Sequence, residues 1–147
     1  MRIFKGENDP FLLTTEAFEI YSQCMYKPTI DEYKNEITAL ASSAENRIFI
    51  CTFQREKAGI IVLSVRPGRS AEIVGIAVKE KLKRRGIGKF MINSAATALG
   101  VKNITAETDN EAVNFYQRAG FEVKEFVRHF PDGNATRYQC TLTLDAN

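Results

Sequence analysis

An α/β fold of the α+β type, one mixed and mostly antiparallel twisted sheet covered by helices, is what the order of elements along this chain predicts. Three observations carry it. Residues 47–54, 58–66 and 71–79 are apolar runs separated by short polar turns, as in an antiparallel meander. The middle run, AGIIVLSVR, is apolar nearly throughout, as a central strand buried on both faces requires. Helical patterns then alternate with further strands, and helical crossovers make such a sheet mixed.

The elements follow in order. Residues 2–5 read as a short strand, ended by GENDP. Residues 11–25 place Leu12, Phe18, Tyr21 and Met25 at roughly helical spacing, and Lys27-Pro28 stops them. Thr29 and Glu32 fit the S/T-x-x-E capping box of a second helix, with Tyr33, Ile37 and Leu40 as its apolar stripe. The meander comes next, turning at 55–57 and at Pro67-Gly68-Arg69. Residues 87–99 are helical, with Ile87, Met91, Ala95 and Ala98 on one side and Gly100 as C-terminal cap. A strand at 101–108 leads to Thr108-Asp109-Asn110-Glu111, a second capping box, and a short helix carrying Phe115 and Tyr116. Strands at 121–130 and 136–144 flank Pro131-Asp132-Gly133-Asn134, a hairpin signal.

Bulk composition narrows the function. The chain has 147 residues, the size of one compact domain, with 44% apolar and 26% charged residues. Its net charge is +2, so no global basic field points to nucleic acid. The longest apolar run, 58–65, is too short to span a membrane, and MRIFKGENDP lacks a signal-peptide core. Cys24, Cys51 and Cys140 are widely spaced without a CxxC, and His129 is the single histidine, which argues against a zinc site. The cysteines are expected to be reduced core thiols of a cytoplasmic protein.

Chemistry concentrates in residues 71–89, AEIVGIAVKEKLKRRGIGK. Lys83, Arg84, Arg85, Gly86, Ile87, Gly88 and Lys89 stand between a strand and a helix start. A helix start offers unpaired N–H groups and positive dipole ends, and glycines admit a ligand close to the backbone. The segment therefore reads either as a site for a di-anionic group such as a pyrophosphate or as a solvated basic turn. It is neither a GxxxxGK[ST] loop nor a GxGxxG turn. Glu72, in an otherwise apolar strand, sits either near a sheet edge in water or in a cleft as a general base. Gly75 marks either a bulge or close backbone contact with a ligand, or else a small residue that helix packing requires. Tyr116 is either core or a proton donor near a reacting atom.

These pieces together resemble the GNAT N-acetyltransferases. Lys83-Arg84-Arg85-Gly86-Ile87-Gly88 is similar to their Q/R-x-x-G-x-G/A signature, with Lys in place of Gln or Arg. Ala112-Val113-Asn114-Phe115-Tyr116, then Gly120-Phe121, resembles their downstream signature, with Asp109 followed by Asn110 where many members have Asn. The element order matches that fold over nearly the whole chain, so residues 1–147 are expected to form a single N-acetyltransferase domain.

The resemblance implies acetyl-CoA as cosubstrate and no metal. Its pyrophosphate would lie on the backbone of residues 84–89, with Lys83 adding charge, and its pantetheine arm along Ile76, Ala77 and Val78. Asn110 and Phe115 would complete the cofactor site. Glu72 would be the general base and Tyr116 the acid that protonates the leaving thiolate; the Val78 N–H would stabilise the developing oxyanion. The acceptor would be a primary amine on a small molecule or peptide, entering over residues 11–43 and the C-terminal hairpin. Glu16, Glu19, Asp31 and Glu32, or Phe11, Tyr21, Tyr26 and Tyr33, are the side chains available to line its path. A homodimer through a sheet edge is compatible with this picture; nucleic acid and membrane partners are not expected. The alternative is a non-catalytic acyl-CoA-binding regulatory module.

Overall fold

The computed structural model describes residues 1–144. The strands are β1 (Arg2–Lys5), β2 (Asn46–Phe53), β3 (Glu56–Arg66), β4 (Ser70–Val78), β5 (Asn103–Thr108), β6 (Glu122–Phe130) and β7 (Gly133–Thr143). They form one seven-stranded sheet in the order β1-β2-β3-β4-β5-β7-β6. Only β4 and β5 run parallel, because helix α3 (Ile87–Leu99) carries the chain back between them. The mixed, mostly antiparallel sheet expected from the sequence is thus observed. β7 inserts between β5 and β6, so the C-terminal hairpin lies across the end of the sheet. Phe130 pairs with Gly133, which shortens the hairpin turn to Pro131-Asp132.

Helix α2 (Ile30–Ser42) starts at the expected capping box: the Thr29 hydroxyl accepts from the Glu32 N–H, and Glu32 accepts from the Thr29 N–H. The helix expected over 11–25 is broken instead. A 3₁₀ turn (Pro10–Leu13) capped by Asp9 gives way at Thr14 to α1 (Thr15–Tyr21), and a second 3₁₀ turn (Ser22–Cys24) follows. Thr14 takes an extended conformation and accepts from the Ala17 N–H, so it restarts the helix rather than continuing one. The second capping box also differs. Asp109, not Thr108, accepts from the N–H groups of Glu111 and Ala112 and leads into α4 (Val113–Arg118). Thr108 is instead a buried end of β5.

Each face of the sheet carries its own core. α3 and α4 pack over Phe49, Ile61, Leu63, Ala71, Ile73, Ile104, Ala106 and Cys140. α1 and α2 pack over Ile48, Ile50, Ile60, Val62 and Ala77. β3 supplies both, so it is buried from Ala58 through Ser64. In α3 the buried stripe is Ile87, Gly88, Met91, Ile92, Ala95 and Ala96; Ala98 faces solvent, one residue out of phase with the expected stripe.

Gly88 is a packing glycine. A Cβ placed on it would stand 2.7 Å from Cε1 of Phe115. Gly88→Leu is expected to lower stability by about 1–3 kcal/mol, the usual cost of overfilling a packed contact. A drop in the urea midpoint, partly restored by Phe115→Ala in the same chain, is the check.

The principal contacts of α1 and α2 are with β2, β3 and β4. On that side β5, β7 and β6 therefore carry no main helical cover. Ile104 and Ala106 of β5, Cys140 of β7 and Val123 of β6 face the α3/α4 core. By the two-residue alternation of strands, Thr105, Glu107, Arg137, Gln139 and Arg128 line the open face. Among the described residues no helix is long and apolar enough to cross a membrane.

Candidate active site

The site forms where β4 and β5 separate. Their ladder covers only Ser70, Ala71 and Glu72 against Asn103, Ile104 and Thr105. The cause is a bulge in β4: Val62 pairs with Gly75 and Leu63 with Ile73, which leaves Val74 without a partner on β3. Val74 is accordingly exposed. Beyond the bulge β4 continues to Val78 against β3 alone, with its other edge facing the gap.

Backbone alternation fixes which groups face that gap. The Lys79 N–H donates to the Ala58 carbonyl of β3. Two residues earlier Ala77 faces β3 as well, so Ile76 and Val78 present their N–H and C=O groups to the open side. The Gln23 amide donates to the Val78 carbonyl at 2.9 Å, as an added strand's N–H would. The Ile76 N–H points at the Cys24 sulfur. Two groups of this edge thus have side-chain partners, and an extended amide-bearing chain pairs with the remaining Ile76 C=O and Val78 N–H or displaces Gln23 and Cys24.

The basic turn completes this side. Gly86 adopts φ 78° at the N-cap of α3, a left-handed conformation that favours glycine, and a Cβ there would meet open space. Side-chain oxygens cap α1 and α2, but α3 has no side-chain cap and no acid in its first turn. Its first N–H groups therefore remain available to an anion. Arg84 and Lys89 are exposed and without an ion-pair partner among the described residues. Lys83 is engaged with Glu80 at 2.8 Å, and Arg85 lies 5.9 Å from the centre of the Phe53 ring. The two glycines of the turn thus meet different demands: Gly86 takes the left-handed conformation before α3, whereas Gly88 makes room for Phe115.

Glu72 lies on the α1/α2 side of the sheet, opposite the core-facing Ala71 and Ile73. It is part-exposed, and Arg66 of β3 donates to its Oε1 at 2.9 Å, leaving Oε2 open. Tyr116 approaches from the other face. It is buried edge-on between Phe115 and Phe121, and burial pushes its hydroxyl well above the usual tyrosine range, so it stays protonated. The Cys24 thiol is close enough to add to that shift across the gap. Asn110 accepts a hydrogen bond from Tyr138 of β7, which ties its side chain to the hairpin.

Three groups reach the gap from the segment after α1 begins, and of these only Tyr21 was expected near it. Tyr21 is buried, and its hydroxyl stands over Gly75 beside the Cys24 thiol. Burial, with the neighbouring Cys24 second, raises that hydroxyl far above the tyrosine range. Cys24 is the exception to the expected core thiols: Cys51 and Cys140 are buried, but Cys24 is open to solvent. Enough protein surrounds its sulfur to push the thiol up to about 11, against the opposing effect of Tyr21 and the Ile76 N–H. At neutral pH it is a neutral wall of the cleft rather than a thiolate nucleophile. Gln23 adjoins them in the same 3₁₀ turn. Of the other side chains considered for the acceptor path, Tyr33 is buried and donates to the Leu12 carbonyl, Tyr26 is exposed, and Glu16 pairs with Lys79. No His/Cys/Asp/Glu group among the described residues is placed to hold a metal.

A mixed sheet split at a bulge, with an uncapped helix N-terminus beside the split, can take an extended amide-bearing chain and a di-anionic group side by side. The family model for the GNAT acetyltransferase domain matches residues 44–123. The chain belongs to the GNAT acetyltransferase family. It is 35% identical over 106 residues to the uncharacterized N-acetyltransferase YvbK of Bacillus subtilis (strain 168), covering 61% of this chain and 68% of that one. A Bacillus subtilis acetyltransferase solved in complex with CoA superposes with a TM-score of 0.66 at 24% identity, over 98% of this chain and 99% of that one. An aminoglycoside 6'-N-acetyltransferase complexed with coenzyme A gives 0.78 at 15% identity, over 100% and 99%. These structures share the fold expected from the sequence. The protein is an acetyl-CoA-dependent acyltransferase, and acetyl-CoA is its cosubstrate.

Proposed function

We propose that the chain is a single N-acetyltransferase domain that moves the acetyl group directly to a primary amine of a small molecule or peptide. The observation that carries this is the open edge of β4 at Ile76 and Val78, between a part-exposed carboxylate and a protonated tyrosine. Pantetheine amides fit the Ile76–Val78 edge, and the pyrophosphate fits the α3 N-terminus with Arg84 and Lys89 beside it. Phe115 walls the arm, while the side chain of Lys83 contributes only if it leaves Glu80. Nothing in the site calls for nucleic acid or a membrane.

In the reaction the acceptor nitrogen bonds to the thioester carbon and its proton passes to the free oxygen of Glu72, directly or through one water. Glu72 lies three residues before Gly75, about 10 Å of strand, so its carboxylate reaches the gap from the side. One backbone N–H of the Ile76–Val78 edge receives the charge developing on the carbonyl oxygen, and the other groups of that edge hold the pantetheine amides. The carbon–sulfur bond breaks, and the leaving thiolate takes the proton of Tyr116. No acyl-enzyme forms, so the thiols need take no part.

Thiol release from acetyl-CoA across a panel of amines, with product masses one acetyl group above the acceptor, tests the proposal. Acetyl-CoA binding with no acceptor turned over, polyamines and peptides included, would leave the regulatory binding module standing. Tyr116→Phe is expected to slow transfer about 10-fold or more while acetyl-CoA affinity stays within twofold, since a positioned general acid typically contributes about 10²–10⁴-fold and water replaces part of it. Full activity in that variant removes Tyr116 from the mechanism.

A further inference from the structure

We propose that the acceptor amine also carries an anionic group, a carboxylate in the simplest case, and that the Arg128–Glu107–Arg137 cluster on the open face of β5, β7 and β6 receives it. This rests on the acetyl-transfer proposal, because it assigns the far end of the same acceptor.

Arg137 donates through Nε to Glu107 Oε2 at 3.0 Å. Arg128 donates through Nε to the same oxygen at 3.1 Å and through a terminal nitrogen to Oε1. One carboxylate thus fixes two guanidiniums, and the terminal nitrogens of Arg137 have no partner among the described residues. A planar guanidinium held at Nε presents its other N–H pair as a fixed fork, which matches a carboxylate. Both arginines hold the Glu107 carboxyl below the usual glutamate range, so the cluster keeps its charge in neutral solution.

Its place in the fold joins it to the reacting centre. Glu72 pairs with Thr105, and Glu107 is two residues further along β5 on the same face. The two carboxylates are therefore separated by on the order of 8 Å of sheet, and Arg137 lies one strand beyond. No main contact of α1 or α2 covers this face, so an acceptor with its amine at the gap extends across it.

The charge on this face selects the acceptor's sign. Arg66 neutralises Glu72, and Arg128 and Arg137 together exceed Glu107 by one positive charge. Lys124 and Glu122 of β6 share the face and offset one another. A polycationic amine meets net repulsion beyond its reacting nitrogen, whereas an amino carboxylate places one pole at each end.

The test compares matched acceptors. ε-Aminocaproate against its primary amide isolates the carboxylate at constant length, and spermidine supplies the polycation. The carboxylate is expected to have kcat/KM at least about 10-fold above the amide, as for a charge-assisted hydrogen bond. Arg137→Gln is expected to erase that ratio, and Arg128→Gln, at a more exposed position, to reduce it; melting temperatures confirm that both fold. Equal turnover of carboxylate and amide, or preference for spermidine, overturns the anionic subsite while acetyl transfer stands. Calorimetry supplies a readout independent of turnover. N-Acetyl-ε-aminocaproate should bind the CoA-loaded wild-type chain more tightly than the amide does, and the two should bind Arg137→Gln alike. If no amine is turned over, acetyl transfer to amines fails, and absence of that binding difference would still refute the subsite by itself.

Discussion

Glu72→Gln is expected to lower kcat for amine acetylation about 100-fold or more near neutral pH, the range over which a positioned base acts. An alkyl ammonium with a pKa near ~10.4 is almost wholly protonated there, so attack requires that its proton be taken up as the bond forms. Glutamine keeps the size and the contact with Arg66 through its carbonyl oxygen but accepts no proton. The variant should then depend on the fraction of amine already neutral. Its rate rises with pH towards the amine's own pKa, and the gap to wild type narrows in the same direction. KM for acetyl-CoA should hardly move, because Glu72 lies before the bulge and the pantetheine edge after it. Arg66 also shapes the outcome. It holds one carboxylate oxygen and leaves the other, so Arg66→Leu should lower kcat less than Glu72→Gln does. Unchanged kinetics in Glu72→Gln across the pH range would assign the base elsewhere.

Features set by near neighbours in the chain were legible in the sequence. The bounds of α3, its C-terminal Gly100 and the Thr29–Glu32 box are all determined within a few residues, and all appear as read. Gly75 read as either a bulge or a packing constraint, and both apply: the bulge leaves its neighbour Val74 unpaired, and Tyr21 fills the space over it. Ambiguity began where two local rules competed. Thr108 and Asp109 both suit an N-cap; burial at the end of β5 removed Thr108 and left the carboxylate at the helix start. Over residues 11–25 the helical spacing was real, but Thr14 was a stronger cap than continuator. Contacts between distant residues were not legible at all. Cys24 meets Ile76, and Glu107 meets Arg128 and Arg137, only because the sheet order places them together. Gly88 belongs to the same class: its neighbour Phe115 sits on another helix, so the packing demand on this motif glycine was not legible beside its ligand-access reading.

Gly75→Ala is expected to damage the site more than its single methyl implies. At most strand positions this substitution is neutral or helpful, since alanine restricts the unfolded chain and gains about 0.4–1 kcal/mol where the backbone allows it. Gly75 is not among the positive-φ residues, so the backbone does allow it. Space does not. The added Cβ would lie 2.1 Å from the Tyr21 hydroxyl oxygen, 2.7 Å from Cζ and 3.1 Å from the Cys24 sulfur. Tyr21 cannot swing freely, because it is buried with its ring 6.1 Å from that of Tyr33, which is itself held by the Leu12 carbonyl. Either α1 lifts or β4 shifts, and overpacking of this kind costs about 1–3 kcal/mol. The steric term therefore exceeds the entropic gain, and the melting temperature should fall by roughly 2–8 °C for a chain of this size. The larger effect should be on acetyl-CoA. Any shift at Gly75 moves Ile76, whose N–H opens the free edge, so affinity should fall more steeply than stability. Tyr21→Leu in the Gly75→Ala background removes the two closest atoms, and recovery beyond the sum of the single changes would measure the contact directly. Full stability with full acetyl-CoA affinity in Gly75→Ala would show instead that the Tyr21 ring yields and that the bulge holds without glycine.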